Sequence, residues 1–197
     1  MNKTIFLIAL NLLLTGFIIA GDGDKKIKVP FDSTTNKYTY EKIIQVDSLK
    51  ANSLYLKAKK WYISKYLKST FLIDSENNTL MQVGVFEISA PIKVFVQTLI
   101  QSYKVSYHIT SQFKDGKCKL VITDFKIAYS AEETAVSTLE TFQKQNGNIL
   151  GINQGLSGKV YAKHTVLCFE AIDKEIQKII VEFESNLKGL VKSKSDW

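Results

Sequence analysis

The sequence contains no arginine, so all 26 of its basic side chains are lysines. That absence removes the planar, five-donor fork that reads guanine edges and clamps phosphate with two parallel bonds. The net charge of +7 therefore points to a lysine-coated, solvated surface, and no nucleic-acid partner is expected. Histidine and cysteine are equally scarce: His108, His164, Cys118 and Cys168 are all there are. A structural zinc site takes four such ligands close together, so no metal is expected. The Gly-Lys stretch "GINQGLSGKV" has Asn153 where a phosphate loop needs glycine and Val160 where it needs Ser or Thr. It reads as a flexible loop, and no cofactor is expected. Proline occurs only at Pro30 and Pro91, so little interrupts the periodic segments between them.

One long hydrophobic run exists, at the start. "MNKTIFLIALNLLLTGFIIAGDGDKK" has a short basic region with Lys3, an apolar run from Ile5 to Ala20, and an abrupt polar end at Asp22. This is the pattern of a secretory signal peptide over 1–20, with cleavage after Ala20. The alternative, an uncleaved anchor, requires a span from a run that is slightly short for one. The expected location is exported: periplasmic, cell envelope or secreted. Residues 21–36 are polar and irregular and read as a linker, followed by a domain over 37–193 with an insertion at about 129–163. Apolar residues make up 45% of the chain, enough to bury a core in one domain. An oxidising compartment makes Cys118 and Cys168 a disulfide candidate that closes a loop of about 50 residues. Two separate buried thiols are the other reading.

Periodicity supplies the elements. Tyr38, Tyr40, Ile44 and Val46 share one parity, as in a strand with one buried face. Asp47, Ser48 and Asn52 are candidate N-caps for a helix with Leu54, Ala58, Trp61 and Tyr62 inward and its lysines mostly outward. Thr70–Asp74 and Leu80–Ile88 are strand-like, and "APIKVFVQTLI" reads as a further strand or a covering segment. Tyr103, Val105, Tyr107 and Ile109 alternate with polar residues. Asp115-Gly116 predicts a two-residue type I′ hairpin turn, with the return strand running from Lys117 to about Ala128. "AEETAVSTLETFQKQ" suits a short helix. Ile172, Ile176, Ile179, Phe183, Leu187 and Leu190 step by three or four, which predicts a long terminal helix. The order is strand, helix, about four strands, insertion, helix. The predicted class is α+β, an antiparallel sheet with two helices packed on one face.

Tyr38 and Tyr40, Leu54-Tyr55, Trp61, "KDGK" at 114–117, Asp124-Phe125 and "EAIDKEI" at 170–176 together resemble a known family, domain of unknown function 4468. These are secreted bacterial proteins assigned a TBP-like β-α-β4-α fold, similar to one half of the TATA-binding protein. The resemblance spans about Lys37 to Lys192 apart from the insertion. It implies that fold and no activity, and a fold name does not bring DNA binding with it.

Function has to be read from sites, and no catalytic residues are nominated. The clearest oddity is apolar residues on both parities of two strands. Val121, Phe125 and Ile127 stand against Leu120 and Ile122, and Val83 and Val85 against Phe86 and Ile88. A sheet covered on one face alone should be polar on the other. The second face is then covered by the insertion or by "APIKVFVQTLI", or it binds a protein or apolar ligand. The candidate surface is Phe86, Ile88, Leu120 and Ile122, rimmed by Lys104 and His108. A non-enzymatic exported binding module is the leading expectation. The alternatives are a membrane-surface protein using Lys57, Lys59, Lys60 and Lys65, and a thiol–imidazole enzyme using Cys118, His164 and Cys168.

Overall fold

A computed structural model describes residues 27–66, 71–74, 78–94, 96–129, 136–147 and 156–189. The expected signal peptide, 1–20, and Leu190 lie outside them. A small hairpin, β1 (Phe31–Asp32) with β2 (Lys37–Tyr38), precedes the main sheet. That sheet is built from β3 (Tyr40–Gln45), β4 (Phe71–Asp74), β5 (Thr79–Val94), β6 (Gln97–Lys114) and β7 (Lys117–Tyr129), and its order is β3-β7-β6-β5-β4. Every pairing is antiparallel. A two-residue strand, β8 (Ser137–Thr138), pairs with Lys126 and Ile127 of β7. The helices are α1 (Ala51–Lys65), α2 (Leu139–Gly147) and α3 (Leu156–Leu187).

The alternating residues of β6 face the helices as their pattern predicts, and Tyr103, Val105, Tyr107 and Ile109 are all buried. Leu54, Ala58, Trp61 and Tyr62 form the buried stripe of α1. Ile172, Ile176, Ile179, Phe183 and Leu187 form that of α3. α3 is 32 residues long, about 48 Å, and crosses β5 while packing on α1 and α2. Trp61 and Phe183 meet edge to face at 5.0 Å, a favoured aromatic geometry, where α1 and α3 touch.

Several local expectations are corrected. None of Asp47, Ser48 or Asn52 caps α1. Its N-cap is Lys50, whose side chain makes no capping bond, and the first-turn amide of Ala51 donates instead to Asp115 at 2.9 Å. The 115–116 turn is not type I′: Gly116 takes φ +75°, whereas Asp115 is not among the positive-φ residues. "APIKVFVQTLI" is neither a separate strand nor a cover. It is the far end of the β5–β6 hairpin, which pairs through Val94 and Gln97. Within the stretch read as an insertion, β8 joins the sheet and α2 adds a third helix, with Leu139 and Phe142 in the core. The last helix begins at Leu156, well before Leu167 where the strong periodicity starts.

Candidate functional site

The sheet has a helix face and an outer face, and the pairing register decides which residues lie on each. Ile88 is opposite Tyr103, Phe86 opposite Val105, Leu120 opposite Ser111 and Ile122 opposite Ile109. All four partners are buried under the helices. The candidate residues Ile88, Leu120 and Ile122 are therefore core residues, exposed by 4%, 1% and 0%. Phe86 is half-buried against the same core, with its ring 5.5 Å from that of Tyr107. Placing these four on the outer face was wrong. Lys104 and His108, their proposed rim, do point outward, beside Val83 (40% exposed) and Val85 (50%) of β5.

A β-bulge accounts for the core residues found on both parities of β7, while Val121 stays on the outer parity. Ser106 pairs with Lys126 and His108 with Thr123, so Asp124 and Phe125 together stand against Tyr107 alone. Asp124 takes φ +55°, a left-handed conformation that Asp and Asn adopt more readily than other side-chain-bearing residues. The extra residue shifts the parity. Cys118, Leu120 and Ile122 before the bulge, and Phe125 and Ile127 after it, all reach the same core.

The bulge also assembles a charged cluster. The Asp124 carboxylate accepts from Lys37 Nζ at 2.5 Å and lies 3.2 Å from His108 Nδ1. The Lys37 bond holds the Asp124 carboxyl below its ordinary range, with His108 adding to the effect. Lys37, His108, Asp124, Thr138 and Glu140 line a concavity of about 250 Å³. A second concavity of about 250 Å³ is lined by Val85, Lys104, Ser106, Ala128 and Val136. Lys126 lines both. It forms no ion pair among the described residues, whereas Lys37 and Lys119 are paired with Asp124 and Glu41.

The two cysteines are free and buried. Cys118 lies by Ser111 and Cys168 by Tyr103. Ser111 and Tyr103 are eight residues apart on one strand, about 27 Å at the usual rise, far beyond disulfide reach. The pairing considered for them does not form. His164 is buried, with Nδ1 3.0 Å from the Pro91 carbonyl oxygen and Nε2 2.8 Å from the Tyr103 hydroxyl. The Nδ1–H donates to the carbonyl. The one Tyr103 hydroxyl proton has two acceptors at 2.8 Å, Gln101 Oε1 and this Nε2. Cys168 Sγ is 3.6 Å from the same Nε2. This is the close thiol–imidazole pair of the enzyme alternative, but both partners are enclosed. Burial pushes the Cys168 thiol up to about 12, and Cys118 likewise, so neither is an available thiolate. Among the described residues no cluster of three or more His, Cys, Asp or Glu is placed to hold a metal ion. No described helix is long and apolar enough to cross a membrane.

Residues 40–128 match the family model described as domain of unknown function (DUF4468) with TBP-like fold. The chain matches this family from β3 to the end of β7. A crystal structure of a TBP-like protein from Parabacteroides distasonis is similar with a TM-score of 0.54 and 11% identity, covering 81% of this chain and 97% of that one. A DUF4468 family protein from Bacteroides ovatus is similar with a TM-score of 0.51 and 21% identity, covering 79% of this chain and 90% of that one. No curated protein matches. The fold is TBP-like. The DUF4468 stretch carries His108, Asp124 and Lys126, while Lys37, Thr138 and Glu140 lie outside it. It also excludes α3, whose buried stripe covers the helix face.

Nothing but a lysine-rich pattern marked Lys126 in the sequence. A mid-strand aspartate, disfavoured in β structure, was the available sign of the bulge.

Proposed function

We propose that this protein is an exported, non-enzymatic binding module that works through the outer face of its sheet over β5, β6 and β7. The observation that carries this reading is Lys126, a cation without an ion-pair partner among the described residues, set between two adjoining concavities. Val85, Ala128 and Val136 give the first concavity an apolar wall. A fitting ligand is a protein segment with a carboxylate for Lys126 and an apolar side chain for that wall. Enclosure of the His164–Cys168 pair supports a binding role over a catalytic one. The leader, with its basic start and apolar run, supports export. The membrane-surface reading is weaker. Lys57 donates to the Leu187 carbonyl and Lys65 pairs with Glu182, so two of its lysines are committed to α3.

The test is a photo-crosslinking residue placed at Val85 in cells that make the protein, with the same residue at Lys174 on the helix side as control. A discrete protein adduct from position 85 that is absent from 174, and lost with Lys126→Glu, supports the proposal. Equal adducts from both positions, or adducts indifferent to Lys126→Glu, overturn it. N-terminal sequencing of the cell-envelope fraction tests export: a mature chain that starts near Gly21 is expected, and an intact Met1 start in the cytoplasm overturns it.

A further inference from the structure

The end of the β5–β6 hairpin is a second surface, independent of the outer face. Among the described residues, β7 runs beside β6 as far as the Tyr129–Tyr103 pair. Beyond it, among the described residues, Gln97–Ser102 pair on one side only, with β5. This free edge is apolar and open: Val96 is 92% exposed, Leu99 52% and Ile100 67%. It is also uncharged. From Val94 to Tyr103 the sequence reads VFVQTLIQSY, and the nearest charges are Lys93 and Lys104. Proteins ordinarily guard free strand edges with charge, proline or a bulge, because unpaired amides and carbonyls recruit another strand. Among the described residues, none of these devices guards Gln97–Ser102.

We propose that this edge pairs with the same edge of a second copy of the chain, antiparallel about a two-fold axis at Leu99. The sequence there is close to self-complementary, Gln97-Thr98-Leu99-Ile100-Gln101. Turned on itself, it sets Gln97 opposite Gln101 of the second copy, Thr98 opposite Ile100, and Leu99 opposite Leu99. Gln101 Oε1 already accepts from the Tyr103 hydroxyl at 2.8 Å, so its NH2 donates to Gln97 Oε1 of the second copy. The leucines meet on the helix side, and each Ile100 covers a threonine methyl on the outer side. Absence of charge favours neither an acidic nor a basic foreign strand, whereas the symmetric order favours a copy of itself. An interface of two hairpin ends is small, which places it among weak, concentration-dependent associations.

The test is sedimentation equilibrium of the chain as the cell processes it, from low micromolar to submillimolar concentration, with amide exchange of 97–102 followed at both ends of that range. The expected result is a reversible monomer–dimer equilibrium, with these amides protected only at high concentration. Leu99→Lys places two ammonium groups face to face on the axis and weakens association at least about tenfold. Ile100→Lys, on the opposite side of the strand, weakens it too. Val181→Lys, an exposed change on α3, leaves it alone. Both edge positions are solvent-exposed, so circular dichroism should match the parent. A monomer throughout the range overturns the proposal, and so does association indifferent to both edge variants. Protection independent of concentration overturns it as well, and points to an edge filled from within the chain.

Discussion

The Asp115 carboxylate accepts the Ala51 amide at 2.9 Å, a bond between residues 64 apart in sequence. Asp115 sits at the tip of the β6–β7 hairpin, and Ala51 is the first residue of α1. Lys50 Nζ also pairs with Asp115 at 3.1 Å, and two backbone bonds dock the tip further: Gly116 N–H donates to the Leu49 carbonyl at 2.8 Å, and Val46 N–H to the Gly116 carbonyl at 2.7 Å. The hairpin thus supplies the N-cap that the residues before α1 do not, and its negative charge sits at the favourable end of the helix dipole.

Asp115→Ala should lower the melting temperature by about 2 to 4 °C, the effect of losing one helix cap in a domain of this size. The Ala51 amide holds the Asp115 carboxyl below its ordinary value, with Lys50 adding to the effect. A carboxylate whose folded pKa is depressed stabilises fully above its unfolded value of 3.8, and that stability fades as pH falls through the lower folded value. The melting difference between parent and variant should therefore be whole near neutrality and shrink in strong acid. A difference that stays constant across that range contradicts the capping role.

Gly84 faces Tyr107 across β5 and β6, and the tyrosine ring occupies the place of a side chain. A Cβ at Gly84 would lie 2.2 Å from Tyr107 Cζ. The ring cannot move aside without cost, because its hydroxyl bonds that of Tyr66 at 2.9 Å and its face packs near Phe86. Gly84→Ala should therefore destabilise by about 1 to 3 kcal/mol in denaturant titration. In a Tyr107→Leu background the same change should cost clearly less. Equal costs in both backgrounds contradict this account.

What could be read from the sequence was what depends on near neighbours. The parity of β6 and the stripes of α1 and α3 were legible because each residue's face is set by its own element's period. What required distant partners was not legible. Phe86 and Ile88 lie on one face of β5, but only their pairing with Val105 and Tyr103 says that this face meets the helices. Leu120 and Ile122 were misplaced because one left-handed residue, Asp124, resets the parity of β7. The cap of α1 comes from another hairpin. The Lys37–Asp124–His108 cluster needs β2, β6 and β7 brought together, and no spacing along the chain announces it.

Asp124 allows backbone and side-chain roles to be separated. Its φ of +55° penalises a β-branched residue, whereas glycine accepts it freely. Asp124→Val should destabilise by about 2 kcal/mol, and Asp124→Gly by clearly less, since it loses only half-exposed bonds to Lys37 and His108. Both variants release Lys37 and His108 into the concavity beside Lys126. Glycine as damaging as valine shows that the side-chain cluster, rather than the bulge geometry, is what holds this corner together.

The buried acids set the alkaline limit. Burial raises Cys118 and Cys168 from 9.0 to about 12 and Tyr107 from 10.0 to about 12, and raises Tyr62 and Tyr103 as well. A group whose folded pKa is raised stabilises fully below its unfolded value and loses that contribution as pH climbs to the folded one. Stability should therefore be level to about pH 9 and fall between about 9 and 12, as the unfolded chain sheds protons that the folded chain keeps. The thiols report on the same event. A disulfide reagent near neutral pH should find none reactive in the folded protein and two after denaturation, and both should become reactive as alkaline unfolding begins. The tyrosinate absorbance of the buried rings should rise together with thiol reactivity rather than before it. Ionisation of Tyr62 or Tyr103 in a protein whose thiols are still protected would mean that the rings at Ser111 and His164 open to solvent without unfolding.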